Sequence, residues 1–283
     1  MTPMKLGRIE AIRYYKGLLC GMGMEENEAE AEAKHALSAI IGCDISDLYL
    51  KGTEQVTDNQ QFRMNELLKE REKGTPLAYI LNERWFMGLR FYVDENVLIP
   101  RQETELLAET AIQLMRFKSY STVLDLCTGS GCVAISIAKY SRAAVSAADI
   151  SSAALDVAKK NARDLGVNIR LVEGDLFENI PERFDIITAN PPYIAQNVYE
   201  GLMREVREHE PRLALVAPDN GLAFYRRIAA QAGAHMNAGA TLLMEIGDEQ
   251  GEAVSRILKD AGFNDVRITK DYSGNDRLAS AVL

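Results

Sequence analysis

A glycine-rich turn beside an acidic residue is the first cluster in the sequence that could do chemistry. In VLDLCTGSGCVA, residues 123–134, an apolar run carrying Asp125 passes into TGSG, residues 128–131, and then into a helix-like run. Glycines at a turn between a strand and a helix let the backbone approach a ligand without a Cβ clash. The glycine spacing also permits a dinucleotide, but a carboxylate at Asp125 repels a pyrophosphate and suits an ammonium group.

Two further acids follow the next strand-like runs. Asp149 ends the second run, at a distance from the glycines where an acid accepts hydrogen bonds from both hydroxyls of a ribose. Asp175 follows the third run within EGDLF, residues 173–177, where it can accept an adenine amino group with Leu176 beside the ring. Any one Asp could be a turn or N-cap residue. Three acids beside a glycine loop predict S-adenosylmethionine, which carries an amino-acid head and no phosphate, with S-adenosylhomocysteine as product.

The stretch TANPPYIA, residues 188–195, is the second cluster. Asn190 ends a strand-like run, so we expect it at the same edge of the sheet as the glycine loop. The Asn190 side-chain carbonyl and the Pro191 backbone carbonyl are two acceptors, which can hold both N–H groups of a planar nitrogen. Pro191 and Pro192 stiffen the loop and remove competing donors, and Tyr193 can pack on the planar group. A turn with a buried tyrosine is the simpler alternative.

These clusters define the predicted site residues. The predicted catalytic residues are Asn190, Pro191, Pro192 and Tyr193. The predicted cofactor-binding residues are Asp125, Cys127, Thr128, Gly129, Ser130, Gly131, Asp149, Asp175, Leu176 and Asn190.

The elements that must position these residues alternate along the chain. Strand-like runs cover residues 123–127, 145–149, 169–172, 184–189, 241–246, 266–269 and 278–283. Helix-like runs cover residues 132–140, 152–165, 222–234 and 249–261. This alternation predicts an α/β fold, with seven strands in a mostly parallel sheet and helices on both faces. The short connection before the last strand predicts that it runs antiparallel to its neighbour.

The chain before the sheet has a different texture. The first 75 residues are typical of helices, most clearly at residues 25–41 and 59–73. Aromatic runs on either side of Gly88 predict a β-hairpin. We therefore predict a helical domain at residues 1–75, a hairpin linker at 76–105 and a catalytic domain at 106–283. The helical domain can dock a substrate or simply stabilise the chain, and the sequence favours neither.

Composition limits the possible functions. The 283 residues carry a net charge of −9, which argues against a broad basic surface for nucleic acid. The four cysteines and three histidines form no metal-binding spacing, so no metal is expected. No apolar run is long enough to span a membrane, and the first residues do not resemble a secretory signal. We expect a cytoplasmic protein, and a monomer by default.

The two clusters together resemble class I methyltransferases that act on planar nitrogens, and more narrowly the release-factor glutamine methyltransferases of the PrmC/HemK type. Four more stretches carry this narrower resemblance, which extends in order over nearly the whole chain. They are GTPLAYIL at residues 74–81, LIPRQETE at 98–105, HEPRLAL at 209–215 and DYSGNDR at 271–277. Cys127 departs from the family, which often has glycine there, and Gln102 replaces a frequent proline.

The resemblance implies N5-methylation of the glutamine in the Gly-Gly-Gln motif of class 1 peptide chain release factors. It implies cofactor contacts from residues 128–131, Asp149 and the Asp175 region, and substrate contacts from residues 190–193. Cys127 is expected to be a buried thiol lining the cofactor site. Arg101 and Glu105 can order a lid or form an ordinary surface ion pair.

Two rival functions remain at this point. An adenine-N6 methyltransferase on DNA or RNA would use the same loop on a flipped base, but it needs a basic surface. The segment after the loop, residues 196–212, mixes both signs of charge, and no separate recognition domain follows. A non-catalytic cofactor-binding module would be expected to have a damaged loop, and this loop is intact.

Overall fold

The first part of the chain is a compact helical unit. A computed structural model describes residues 5–283, and the chain divides into the units Met1–Asn82 and Glu83–Leu283. The helices of the first unit are α1 (Arg8–Gly21), α2 (Glu26–Ile41), α3 (Ile45–Leu50), α4 (Asp58–Glu72) and α5 (Leu77–Leu81). The helical character of this segment is confirmed, and the boundaries of α2 and α4 lie within a residue of those expected.

Local signals explain where these helices begin and end. Thr57 caps α4, because its hydroxyl accepts from the Gln60 N–H while the Gln60 side chain accepts from the Thr57 N–H. Gly42 ends α2 with φ of 79°, a left-handed conformation that glycine adopts without strain. Apolar side chains at helical spacing then form one core, which includes Tyr15, Leu37 and Met64.

A β-hairpin opens the second unit, as expected. Strands β1 (Arg84–Phe86) and β2 (Leu89–Phe91) pair antiparallel across a tight turn. Both turn residues have positive φ, 51° at Met87 and 70° at Gly88, which matches the twist of a two-residue hairpin. Phe86 and Phe91 are buried edge to face, with ring centroids 6.1 Å apart. The domain bounds proposed above, with a linker at 76–105, stay a prediction.

A seven-stranded sheet forms the centre of the second unit. Its strands are β3 (Thr122–Leu126), β4 (Ala144–Asp149), β5 (Arg170–Glu173), β6 (Phe184–Ala189), β7 (Met236–Glu245), β8 (Asn264–Lys270) and β9 (Asp276–Val282). The order across the sheet is β5-β4-β3-β6-β7-β9-β8. Only β9 runs opposite to the other six strands, so the predicted mostly parallel sheet and antiparallel last strand are confirmed.

The register of the parallel strands aligns their carboxyl ends. Leu126 of β3 lies beside Ala148 of β4 and beside Ala189 of β6. Ala189 also lies beside Met244 of β7. The residue that follows each of these four therefore lies at the same edge of the sheet.

Helices cover both faces of the sheet. The helices of this unit are α6 (Glu105–Phe117), α7 (Cys132–Tyr140), α8 (Ser152–Asp164), α9 (Gln196–Tyr199), α10 (Arg204–His209), α11 (Arg212–Leu215), α12 (Ala223–Ala232) and α13 (Gly251–Asp260), with 3₁₀ turns at Asp219–Gly221 and Gly233–His235. One core contains apolar residues of α6, α7 and α8, and the other contains those of α12 and α13. Within residues 5–283, no helix is both long and apolar enough to cross a bilayer.

Candidate active site

A single pocket lies at the carboxyl edge of the sheet and brings most of the predicted residues together. Ten of the predicted site residues line it: Asp125, Cys127, Thr128, Gly129, Ser130, Asp149, Asp175, Leu176, Asn190 and Pro192. Three others, Gly131, Pro191 and Tyr193, are close in sequence but do not line the pocket. Two further segments, which we call the rim, line the pocket through Asn96, Val97, Leu98, Pro100, Arg101 and Thr104 in the first and Pro211, Leu213 and Ala214 in the second.

The two glycines of the turn are needed for different structural reasons. Gly129 has φ of 53° and lines the pocket, and a Cβ built there would meet no atom within 4 Å. That open space is a cradle where a ligand can approach the backbone. Gly131 has φ of 79°, and its Cβ would lie 2.9 Å from Ile135 Cδ1 and 3.1 Å from Ala158 Cβ. Gly131 therefore lets the start of α7 pack closely against α8. It affects the pocket only through the shape of the turn.

Asp125 is buried and holds the turn against the sheet. One carboxylate oxygen accepts from the Thr128 hydroxyl at 2.6 Å, and the other accepts from the Thr188 hydroxyl at 2.7 Å. Burial raises the pKa of Asp125 to about 6, although both hydroxyl groups oppose the shift. Asp125 thus joins the loop after β3 to strand β6 at the wall of the pocket.

Asp125 is expected to make stability depend on pH. The folded carboxyl binds its proton more tightly than the unfolded one, so the free energy of unfolding falls as pH rises from about 4 to about 6. Asp125→Asn removes this contribution. Chemical denaturation measures the free energy of unfolding of both proteins at pH 4 and pH 7. The decrease between these two pH values should be smaller in Asp125→Asn than in the parent by on the order of 3 kcal/mol. Equal losses in the two proteins would contradict the buried, titrating carboxyl.

Asp149 and Asp175 lie at the ends of the next two strands. Asp149 accepts from the Gly129 N–H at 2.8 Å and from the Ser151 N–H at 3.0 Å, and burial raises its pKa. Asp149 therefore holds the backbone of the glycine cradle in place through the Gly129 N–H. Asp175 is paired with Arg227 at 2.8 Å, so its charge is balanced at the pocket.

Cys127 occupies a left-handed position at the end of β3. Its φ is 55°, which explains why glycine is well suited to this place in the chain. Burial and the nearby carboxylates of Asp149 and Asp125 raise the pKa of the thiol far above its usual range. The thiol therefore stays protonated and lines the pocket without acting as a nucleophile.

Replacing Cys127 with glycine is expected to leave the protein equally stable or more stable by up to about 1 kcal/mol, because left-handed strain outweighs the extra freedom of glycine in the unfolded chain. Cys127→Ala keeps the strain and loses the thiol's packing, so it is the matched control. Chemical denaturation should rank the glycine variant above the alanine variant. The reverse order would show that packing of the thiol dominates.

The loop from Asn190 to Tyr193 is held at both ends. The Asn190 side-chain Nδ2 donates to Thr104 Oγ1 at 3.3 Å, and no donor contacts its Oδ1 among the described residues. The Tyr193 hydroxyl donates to Glu245 Oε1 at 3.4 Å, and its backbone carbonyl accepts from Gln250 Nε2 at 3.0 Å. Pro191 and Pro192 are both buried between these anchors. The loop thus presents an amide oxygen at the pocket from a braced backbone.

Arg101, which lines the pocket, and Glu105, which does not, have separate partners and do not form an ion pair with each other. Arg101 pairs with Glu210, whose side chain is 1% exposed and whose other oxygen accepts from the Ile99 N–H at 3.2 Å. Glu105 accepts from the Met87 N–H at 2.6 Å, which ties α6 to the hairpin. Arg101 thus joins the two segments of the rim, and Glu105 holds the hairpin.

Sequence reasoning missed several residues of the site: Thr104, Thr188, Phe224, Arg227 and Glu245. Glu245 gave a usable signal, since a charged residue ends an otherwise apolar strand. Phe224 and Arg227 gave none, because they lie on an ordinary amphipathic helix far along the chain. Within residues 5–283, no group of three or more potential ligands could hold a metal ion.

The fold and the pocket together define a class I S-adenosylmethionine-dependent methyltransferase. A solved methyltransferase from Pyrococcus furiosus shares this fold, with a TM-score of 0.52, 17% identity, and coverage of 80% of this chain and 98% of that chain. The Methyltransferase small domain family matches residues 102–209, and the PrmC N-terminal domain family matches residues 10–81.

Similarity to named relatives identifies the family within that class. The chain is 40% identical to the release factor glutamine methyltransferase of Cereibacter sphaeroides, covering 97% of this chain and 98% of the relative. It is 38% identical to that of Geobacter sulfurreducens, covering 95% and 94%. The chain belongs to the family of release factor glutamine methyltransferases.

Proposed function

We propose that this protein transfers a methyl group from S-adenosylmethionine to the N5 side-chain nitrogen of the glutamine in the Gly-Gly-Gln motif of class 1 peptide chain release factors. One observation carries the proposal beyond family membership. The Asn190 Nδ2 is held by Thr104, so Oδ1 is left as an acceptor beside the glycine cradle. A planar amide nitrogen is a poor nucleophile, and an acceptor of this kind holds its N–H group in place.

The residues around the cradle fit S-adenosylmethionine. Gly129 leaves space where a Cβ would intrude, and the carboxylates of Asp125, Asp149 and Asp175 line the same pocket. Arg227 balances the charge of Asp175, so Asp125 and Asp149 are the carboxylates that suit a ligand with an ammonium and a sulfonium charge and oppose a pyrophosphate. When bound, the cofactor supplies an electrophilic methyl group. Asp149 would hold the ribose hydroxyls, and Asp175 with Leu176 would hold the adenine.

The catalytic loop would orient the substrate amide. Asn190 Oδ1 and the Pro191 carbonyl would each accept one N–H of the glutamine nitrogen, so that the remaining face points toward the methyl group. These acceptors would also favour the positive charge that develops on nitrogen as the methyl group is transferred, and the nitrogen would then release one of its two protons to water to give the neutral N-methyl amide. Pro192 keeps the loop rigid, and Tyr193 would pack on the planar amide.

Residues 1–75 would dock the release factor, with residues 76–105 as linker and 106–283 as the catalytic domain. The protein would act as a cytoplasmic monomer without binding nucleic acid directly. The net charge of −9 supports the last point, because a nucleic-acid methyltransferase needs basic groups along the phosphates.

A parallel comparison of candidate substrates tests the substrate class. Labelled S-adenosylmethionine is supplied with a purified class 1 release factor, and in separate reactions with DNA and RNA that contain unpaired adenines. We expect label in the release factor and none in either nucleic acid. Label in nucleic acid alone would overturn the glutamine assignment and favour the adenine-N6 alternative.

A further inference from the structure

A buried carboxyl lies directly beside the catalytic loop. Glu245 is the last residue of β7, where it follows three apolar residues, and it is only 3% exposed although it carries a carboxyl group. Ala189 is paired with Met244, so Glu245 lies next to Asn190 in the register of the sheet. Within the described residues, Glu245 Oε2 is buried without a hydrogen-bond partner. Burying such a group without a hydrogen-bond partner costs free energy. The cost suggests that the carboxyl has a role in the site.

Glu245 connects the two ends of the loop. The Tyr193 hydroxyl donates to its Oε1 at 3.4 Å. The hydroxyl of Thr104 lies close enough to the same carboxyl to favour its ionised form, without the geometry of a full hydrogen bond to it. Thr104 Oγ1 in turn accepts from Asn190 Nδ2 at 3.3 Å. A chain of polar groups therefore runs from Asn190 through Thr104 and Glu245 to Tyr193.

The chemistry of a carboxylate fixes the direction of every bond in this chain. An ionised carboxylate only accepts hydrogen bonds, so the Thr104 proton, which the bond from Asn190 leaves unused, turns toward the unpaired Oε2 of Glu245. The Thr104 oxygen must then accept, which holds the donating end of the Asn190 amide. The carbonyl end of Asn190 is thereby turned away from Thr104. A group at position 245 that donates would permit the opposite direction and allow the amide to flip.

We propose that Glu245 is a positioning residue for methyl transfer, which acts through the hydroxyl groups of Thr104 and Tyr193 to hold Asn190 with its carbonyl oxygen presented to the substrate. This inference rests on the proposed function, because it assigns the Asn190 oxygen to the substrate amide. Glu245 itself does not line the pocket. It acts only through its two neighbours.

The surroundings of Glu245 make this device sensitive to pH. Burial raises the pKa of Glu245 to about 7, and the Thr104 hydroxyl, the Arg277 charge and the Tyr193 hydroxyl oppose the shift, whereas Glu103 adds to it. Other polar groups packed near it are the Tyr225 hydroxyl, which donates to the Glu245 carbonyl at 3.2 Å, and Asp271, which pairs with Arg277. As pH falls through about 7, the carboxyl gains a proton and becomes a donor. The turnover rate should fall with it.

Four variants test the proposal, with kcat, KM for the release factor and cofactor affinity measured for each. Glu245→Gln keeps the shape but can donate, and we expect kcat to fall by about 10-fold to 100-fold with cofactor affinity little changed. Thr104→Val removes the bridging hydroxyl and should lose kcat similarly, whereas Thr104→Ser should recover most of that loss. Thr241→Val removes a buried hydroxyl from the middle of β7, where it contacts the Tyr120 hydroxyl, and should leave kcat unchanged.

The pH profile separates positioning from a merely structural role. The parent kcat should decline below a pH of about 7, and this acid limb should be absent in Glu245→Gln. Parent-like kcat and an unchanged limb in that variant would overturn the proposal. If Glu245→Gln does not fold, the threonine pair decides, because equal rates for Thr104→Ser and Thr104→Val would equally overturn it.

A spectroscopic readout keeps the inference testable apart from the proposed substrate. The side-chain amide signals of Asn190 in NMR spectra are assigned by their loss in Asn190→Ala. In the parent we expect one hydrogen-bonded amide proton that moves as pH falls through about 7, and in Glu245→Gln we expect signals near those of a free amide. Identical, pH-independent signals in both proteins would sink the positioning role. Absence of transfer by the parent, with these NMR changes present, would instead refute the proposed function.

Discussion

Asn190→Ala is expected to slow methyl transfer severely while cofactor binding largely survives. The substitution removes the acceptor at the end of β6 but leaves Asp149 and the glycine cradle in place. Loss of one oriented polar group in a site of this kind lowers kcat by about 100-fold to 1000-fold. Single-turnover transfer to the release factor, together with calorimetric titration of the cofactor, measures the two effects separately.

A nearby asparagine provides the matched control for this substitution. Asn197 is exposed on α9 and does not line the pocket, so Asn197→Ala should transfer methyl groups like the parent. If Asn190→Ala loses cofactor binding and thermal stability together with activity, the residue supports the fold and the proposed role is wrong. Parent-like transfer by Asn190→Ala would equally contradict the proposed role.

Asp149→Ala is expected to weaken cofactor binding by about 100-fold or more, since each hydrogen bond to a charged group contributes about 1.5–3 kcal/mol. The carboxylate holds the Gly129 N–H, and by the proposed function it also accepts from the ribose hydroxyls. The variant therefore loses both a ligand contact and the shape of the cradle. Calorimetric titration with S-adenosylmethionine measures the change directly.

A surface aspartate on α8 controls for the loss of charge. Asp164 pairs with Lys160 at the surface, and Asp164→Ala should bind the cofactor like the parent. A similar affinity for Asp149→Ala and the parent would show that Asp149 contacts no part of the cofactor. Transfer by Asp149→Ala at saturating cofactor should recover partially, because the catalytic loop is unchanged.

The sheet was largely predictable from sequence because buried parallel strands are continuous apolar runs between turns. Strand β6 has the predicted bounds. Strand β7 begins at Met236, five residues before the predicted start at 241. The prediction missed these five residues because Asn237 and Gly239 are poor strand formers. Pairing of Met236 with Phe184 of β6 nevertheless extends the strand. Tertiary pairing here overrides local preference.

The site was predictable where motifs follow strand ends and unpredictable where tertiary contacts supply the residues. Asp149 and Asn190 could be placed at one edge, since parallel strands share their carboxyl end. The partners that orient them could not. Thr104 precedes α6 and Glu245 ends β7, so 86 residues separate Thr104 from the Asn190 that it contacts. Nothing local to either residue indicates that contact.

The most direct test of the central claim is to locate the methyl group. A class 1 release factor and its variant with the Gly-Gly-Gln glutamine changed to alanine are each incubated with the protein and S-adenosylmethionine, then digested and analysed by mass spectrometry. We predict the added mass of one methyl group on the Gly-Gly-Gln peptide of the unaltered factor and no addition to the altered one. Equal methylation of the two factors would contradict the assignment of the glutamine as the acceptor.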